Sequence, residues 1–85
     1  MNKAAKLLDA MRNNPRDWRI EQLITVARQM GMAVRNDGGS HHIFSAKEIR
    51  ASFPVPAHKP IKPMYVKKFV ALVDALAEHR RNQNG

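Results

Sequence analysis

A chain of 85 residues with 15 Lys and Arg, 7 Asp and Glu and no cysteine carries a formal charge of +8. That composition excludes a disulfide framework, a thiol nucleophile and a cysteine-held zinc, and a fold of this length buries only about 60% of its extended surface around one small core. No run approaches the roughly 18 apolar residues of a membrane span, and the start Met1-Asn2-Lys3-Ala4-Ala5-Lys6 lacks the apolar stretch of a secretory signal. The expectation is a soluble cytoplasmic protein of one domain, residues 1–85.

Ala4, Leu7, Leu8 and Met11 recur at helical spacing and predict a first amphipathic helix, ended near Asn13-Asn14-Pro15 because Pro15 disfavours helical geometry at Asn14. A second helix follows, with Ile20, Leu23, Ile24, Ala27 and Met30 on its apolar face and Gly31 as its stop. Its start is open between an N-cap at Asp17 and a cap at Asn14 with Pro15 at the first helical position. The period then changes. Met32 to Asn36 reads as a short strand, Asp37-Gly38-Gly39 as a turn with positive-φ positions, and His41 to Ser45 as a second strand. Ile49, Ala51, Phe53 and Val55 alternate with Arg50, Ser52 and Pro54, which predicts a third strand with one buried face. Pro54 and Pro56 cannot donate ladder hydrogen bonds, so that strand belongs at a sheet edge.

Ala57 to Pro63 forms a stiff, basic, proline-rich loop, and a last helix runs from about Met64 to His79 with Val66, Phe69, Val70, Val73, Leu76 and Ala77 on one face. Arg80 and Arg81 suit the negative end of its dipole; residues 80–85 read as a basic and polar tail, frayed over Asn82-Gln83-Asn84-Gly85. Trp18, Phe44 and Phe53 read as core. The expected fold class is α+β: a three-stranded antiparallel sheet with helices on one face, because each apolar stripe needs a partner and one short chain has room for one core. The other face stays open for a ligand.

Charge is not spread evenly. From Arg28 to Lys68 there are Arg28, Arg35, Lys47, Arg50, Lys59, Lys62, Lys67 and Lys68 against only Asp37 and Glu48, a pattern that fits a polyanion-binding middle. Within it lies Gly39-Ser40-His41-His42-Ile43-Phe44. Adjacent strand residues point to opposite faces, so His41 and His42 do not chelate one metal together, and His58 and His79 add no ligand spacing; no metal and no cofactor are expected. Imidazole exchanges protons near neutral pH, and RNA carries its own nucleophile in the 2′-hydroxyl. His41 is the candidate general acid or base, with neighbouring cations stabilising phosphate charge. Gly39 lets the backbone come close to substrate, and its N–H or that of Ser40 can meet a phosphate oxygen. Read blandly, His41 only starts a strand or caps a turn. His58 divides between a phosphate or acid role and loop hydrogen bonding, Lys59 and Lys62 between RNA-backbone contact and solvated charge, and Tyr65 between base stacking and helix packing.

The six-residue run, followed by Val55-Pro56-Ala57-His58-Lys59-Pro60-Ile61-Lys62-Pro63 and a closing helix, resembles the HicA family of toxin ribonucleases, the small partners of HicA–HicB toxin–antitoxin systems. The resemblance covers roughly residues 19–77. It implies a double-stranded-RNA-binding-domain-like fold and ribosome-independent cleavage of mRNA by a metal-independent endoribonuclease. His41 is then the catalytic residue and Gly39 a glycine needed for activity through turn geometry; Ser40, His58, Lys59 and Lys62, read from the residues themselves, are the candidate RNA-binding surroundings. A HicB-like antitoxin would occlude His41, and DNA would be met only through that antitoxin. Residues 1–18 form a helical extension ahead of the HicA-like core at 19–79, and Met64-Tyr65-Val66 departs from the Gly-Thr-Leu-like start of the last helix in shorter members. The alternative is a non-catalytic RNA-binding module of the same fold. A DNA regulator is weaker, because neither early helix is rich in base-reading Arg, Asn or Gln.

Overall fold

The computed structural model describes residues 2–84. Met1 and Gly85, the outermost residues of the expected extension and tail, lie outside the described residues. In chain order the elements are α1 (Lys3–Asn13), α2 (Ile20–Gln29), β1 (Ala33–Asn36), β2 (His41–Ala46), a single 3-10 turn at Lys47–Ile49, β3 (Ala51–Pro56) and α3 (Pro63–Asn84). The fold is α+β. The strands form one antiparallel meander in the order β1-β2-β3, so the two prolines of β3 sit on an edge strand, where a missing N–H costs no ladder bond.

Each helix boundary has a local cause. Asn2 caps α1 through its side-chain oxygen, which accepts the Ala5 N–H at 2.8 Å. At α2 neither Asp17 nor Asn14 is the cap. Asp17 takes a left-handed φ of 65°, which turns the chain, and Arg19 occupies the N-cap position. Gln22 supplies the missing acceptor, taking the Arg19 N–H on Oε1 at 2.9 Å. Gly31, at φ 74°, ends α2 where a Cβ would be strained. The β2–β3 link is not a continuous strand from Ile49: a 3-10 turn closes on Arg50 at φ 51°.

The core sits between one sheet face and the helices. His42, Phe44 and Ala46 of β2 pair with Val55, Phe53 and Ala51 of β3, and these side chains point toward α2 and α3. Phe44 is fully buried. Its ring meets Phe69 of α3 edge-on at 5.1 Å and Phe53 at 6.4 Å, and burial of such a side chain contributes about 1.5–3 kcal/mol. Phe53 and Trp18 are only half-buried, packed against that core rather than inside it. Trp18 donates its indole N–H to the Asn14 carbonyl at 2.6 Å. Helix α1 buries Ala4 and Met11 against α2 and α3, and Arg12 holds Asp74 of α3 at 2.6 Å.

The last helix differs from the expected frayed tail: α3 is helical through Asn84. Arg80 gives the reason, because its guanidinium donates to both carboxylate oxygens of Glu48, at 2.8 Å for Nη2 to Oε1 and 3.2 Å for Nε to Oε2. That pair ties the end of α3 to the link between β2 and β3. Glu48 is held below its usual carboxylate range, first by the Arg80 hydrogen bonds. It also marks the end of the sheet opposite His41. Among the described residues no helix is long and apolar enough to cross a membrane.

Candidate nucleic-acid interface at the His41 end of the sheet

Odd-numbered residues of β2 point away from the helices. His41, Ile43 and Ser45 pair with Pro56, Pro54 and Ser52 of β3, and Ile43 and Ser45 pair with Arg35 and Ala33 of β1. The face holding His41 is therefore the one the helices leave uncovered. His42 points the other way, as strand alternation requires.

The loop between β1 and β2 carries the geometry. Gly38, Gly39 and Ser40 form a three-residue connection, and the residues flanking it continue the register: the Asp37 N–H donates to the His41 carbonyl at 3.2 Å. Cross-strand partners share a face, which brings the Asp37 carboxylate beside the His41 ring, Oδ2 to Nδ1 at 3.5 Å. Asp37 Oδ1 meanwhile accepts the Gly39 N–H at 2.9 Å. Its carboxyl is held below the ordinary value of 3.8, chiefly by that Gly39 N–H and further by the backbone and charge of His41. The next side chain closes the loop from the other direction. Asn36 accepts the Gly38 N–H on Oδ1 at 2.8 Å and donates Nδ2 to the Gly39 carbonyl at 3.2 Å.

Sequence reasoning named His41 but treated Asp37 as a turn former only. The signal was present. An acid four residues before a histidine, across Gly-Gly-Ser, becomes its cross-strand partner once the loop has three residues. What the pair can do follows from its orientation: a carboxylate at Nδ1 favours the tautomer with its proton there, leaving Nε2 as an acceptor at an exposed surface. His41 keeps about half its side-chain surface, 48%, open to solvent.

Two glycine expectations change. Positive φ falls on Gly38, at 90°, not on Gly39, so the turn demands glycine one position earlier than the Gly-Ser-His run indicates. The Gly39 N–H is used by Asp37 and does not face a phosphate; a Cβ there would stand 3.4 Å from Asp37 Oδ1. The Ser40 N–H has no intramolecular partner among the described residues, while its carbonyl accepts the Ala57 N–H at 2.7 Å. That bond starts the β3–α3 loop beside the turn and places exposed His58 at the same end of the sheet. Among the described residues His58 makes no hydrogen bond or ion pair to His41.

The two lysines are not gathered there. Lys59 turns toward the start of α2 and lines a shallow cleft of about 160 Å³ with Asp17, Arg19 and Pro60. Ile61 is buried and donates its N–H to the Trp18 carbonyl at 2.8 Å, which pins the loop between them. Lys62 is exposed just before α3, where its carbonyl accepts the Tyr65 N–H at 2.9 Å. Tyr65 is half-buried against the core. Gly39, Ser40, His41 and His58 thus share one end of the sheet, and Lys59 and Lys62 lie further along the loop. Among the described residues no three His, Asp or Glu side chains gather as a metal site requires.

No protein-family model, curated protein or solved structure matches the chain.

Proposed function

We propose that this protein is a metal-independent endoribonuclease of the HicA type, cutting mRNA with His41 as general acid–base catalyst. The observation that carries the reading is the exposed His41 ring with the Asp37 carboxylate 3.5 Å from Nδ1, at the rim of an uncovered sheet face in a chain of net charge +8. A histidine kept only to cap a turn has no need of a carboxylate behind one nitrogen and solvent before the other. In the reaction, Nε2 removes the 2′-hydroxyl proton, the 2′-oxygen bonds to the adjacent phosphorus, the bond from phosphorus to the 5′-oxygen breaks, and that oxygen takes a proton from solvent water. The products are a 2′,3′-cyclic phosphate and a free 5′-hydroxyl. The Ser40 N–H is a donor with capacity to spare for a phosphate oxygen.

The order helix, three-strand meander, helix from Ile20 to Asn84 supports reading this part as a double-stranded-RNA-binding-domain-like core, with α1 as an addition packed on the helical side. On this reading the protein acts in the cytoplasm as the toxin of a type II toxin–antitoxin pair. A HicB-like antitoxin covers His41, and DNA is reached only through it. A second reading, a non-catalytic RNA-binding module, is favoured by one observation: among the described residues Asp37 is the one ion-pair partner of His41, and no second catalytic group is hydrogen-bonded to the ring.

Cleavage of mRNA in excess EDTA, with wild type beside His41→Ala, separates them. His41 is exposed, so the variant keeps its fold. The expected result is cutting by wild type, a fall of about 10²- to 10⁴-fold in the variant, and RNA binding by both. Binding without cutting in either sample establishes the module and ends the nuclease reading.

A further inference from the structure

The uncovered face has an ordered grid. Its first row is Asp37, His41 and Pro56; its second is Arg35, Ile43 and Pro54. Arg35 is therefore a diagonal neighbour of His41, and such neighbours lie about 7–8 Å apart, well within the reach of a guanidinium. Arg35 is exposed, and among the described residues no carboxylate lies within ion-pair distance of it. The nearest acid on its own face, Asp37, is already engaged by the Gly39 N–H and His41. Arg80, which reaches the β2–β3 link at the far end of the sheet, is neutralised by Glu48. Arg35 is thus a cation in the row next to the imidazole with its charge uncompensated.

The rest of that row is apolar. Ile43 is half-buried between Arg35 and exposed Pro54, giving a short flat strip without a hydrogen-bonding side chain. Such a strip can meet the face of a base only when that base is out of a duplex stack. Phosphate, by contrast, is matched by the planar donor fork of arginine.

Resting on the ribonuclease reading of the His41 site, we propose that Arg35 is the phosphate-binding residue of that site, and that the substrate is an unpaired ribonucleotide strand lying across Ile43 and Pro54. One phosphate next to the cleaved linkage pairs with Arg35 and a neighbouring base covers the apolar strip. Arg35 then sets where the strand lies relative to His41.

The test measures binding of a fluorescent single-stranded oligoribonucleotide, and of the same sequence as a duplex, to the His41→Ala chain, which holds RNA without cutting it. Adding Arg35→Ala is expected to weaken single-strand binding about tenfold and to flatten the dependence of log affinity on log salt by about one unit. Arg35→Lys keeps the slope but not the full affinity, and Arg28→Ala, on the opposite side of the sheet, changes neither. The duplex is expected to bind at least about tenfold more weakly, since pairing hides its base faces. Unchanged affinity and slope in Arg35→Ala overturns the assignment of Arg35 while leaving the nuclease reading intact. Equal affinity for duplex and single strand overturns the placement on Ile43 and Pro54. If wild type neither binds nor cuts RNA, both fall together.

Discussion

His41 and His42 are chemically identical neighbours placed in opposite worlds by one peptide bond. On the open face His41 has solvent before it and a carboxylate behind it. On the covered face His42 packs beside Val55 of β3 and Asn36 of β1, its cross-strand partners. The orientation of the Asn36 amide is set by its bonds to Gly38 and Gly39, so its Nδ2 faces His42 Nε2 at 3.3 Å. With Nε2 accepting from that amide, the ring proton falls on Nδ1, an atom buried without a partner among the described residues. One ring lies open to a ligand from solvent, and the other is half-buried with its Nδ1 sealed from solvent. The difference teaches that chemical competence here is a property of strand parity and not of residue type.

The sharpest way to break that comparison is to exchange the losses. Against the large loss of cleavage in His41→Ala, His42→Leu is expected to leave cleavage within about threefold. It should also raise the melting temperature, since replacing a buried unpaired nitrogen by an apolar group removes a desolvation cost of about 1–3 kcal/mol. A deep loss of cleavage in a folded His42→Leu would move the chemistry to the covered face.

A smaller effect isolates the carboxylate. Asp37→Asn keeps an oxygen for the Gly39 N–H but removes the charge beside Nδ1. On the ribonuclease reading, cleavage is expected to fall about tenfold, with RNA affinity unchanged, because a general base loses its positioning while substrate contacts stay. Stability carries a second signature. The Asp37 carboxyl lies below its ordinary 3.8 in the folded chain, first because of the Gly39 N–H. Its contribution is therefore complete above about pH 4 and fades as pH falls through the folded value. The gap in melting temperature between wild type and Asp37→Asn should close with acid; a gap that is constant from pH 3 to 7 would refute the carboxylate's role in the turn.

The smallest expected effect distinguishes two adjacent glycines. Gly38→Ala forces a Cβ into a backbone at φ 90° and costs about 1 kcal/mol or more. Open space surrounds that Cβ, so the cost is conformational alone. Gly39→Ala meets Asp37 Oδ1 at an ordinary contact distance of 3.4 Å and should leave the melting point nearly unchanged. Thermal unfolding of both variants checks the order, and reversal would put the essential turn conformation at Gly39 after all.

Much of the architecture was legible in residue spacing. The stripe through Ala4, Leu7, Leu8 and Met11 gave α1 within a residue or two, and alternation through Ile49, Ala51, Phe53 and Val55 identified the buried side of β3. Boundaries governed by distant partners were not legible. Glu48 and Arg80 lie 32 positions apart, and no local pattern announces that their pairing extends α3 past His79. The start of α2 was missed because Gln22 reaches back from inside the helix, a cap that neither Asp17 nor Asn14 signals.

What the sequence by itself determined is local periodicity and turn chemistry: the helical and strand periods, the glycine turn before His41, the prolines on an edge strand, and the opposite facing of the two histidines. Those follow from backbone geometry repeated every few residues. Which sheet face the helices cover, and hence which histidine meets solvent, was decided only when Phe44 found Phe69 across the core. The same packing put Asp37 and Arg35 on the open side with His41 and carried Lys59 away toward Arg19. Apolar burial is non-directional along the chain, so it selects a face for the whole sheet at once, and the polar residues of the other face become neighbours as a consequence.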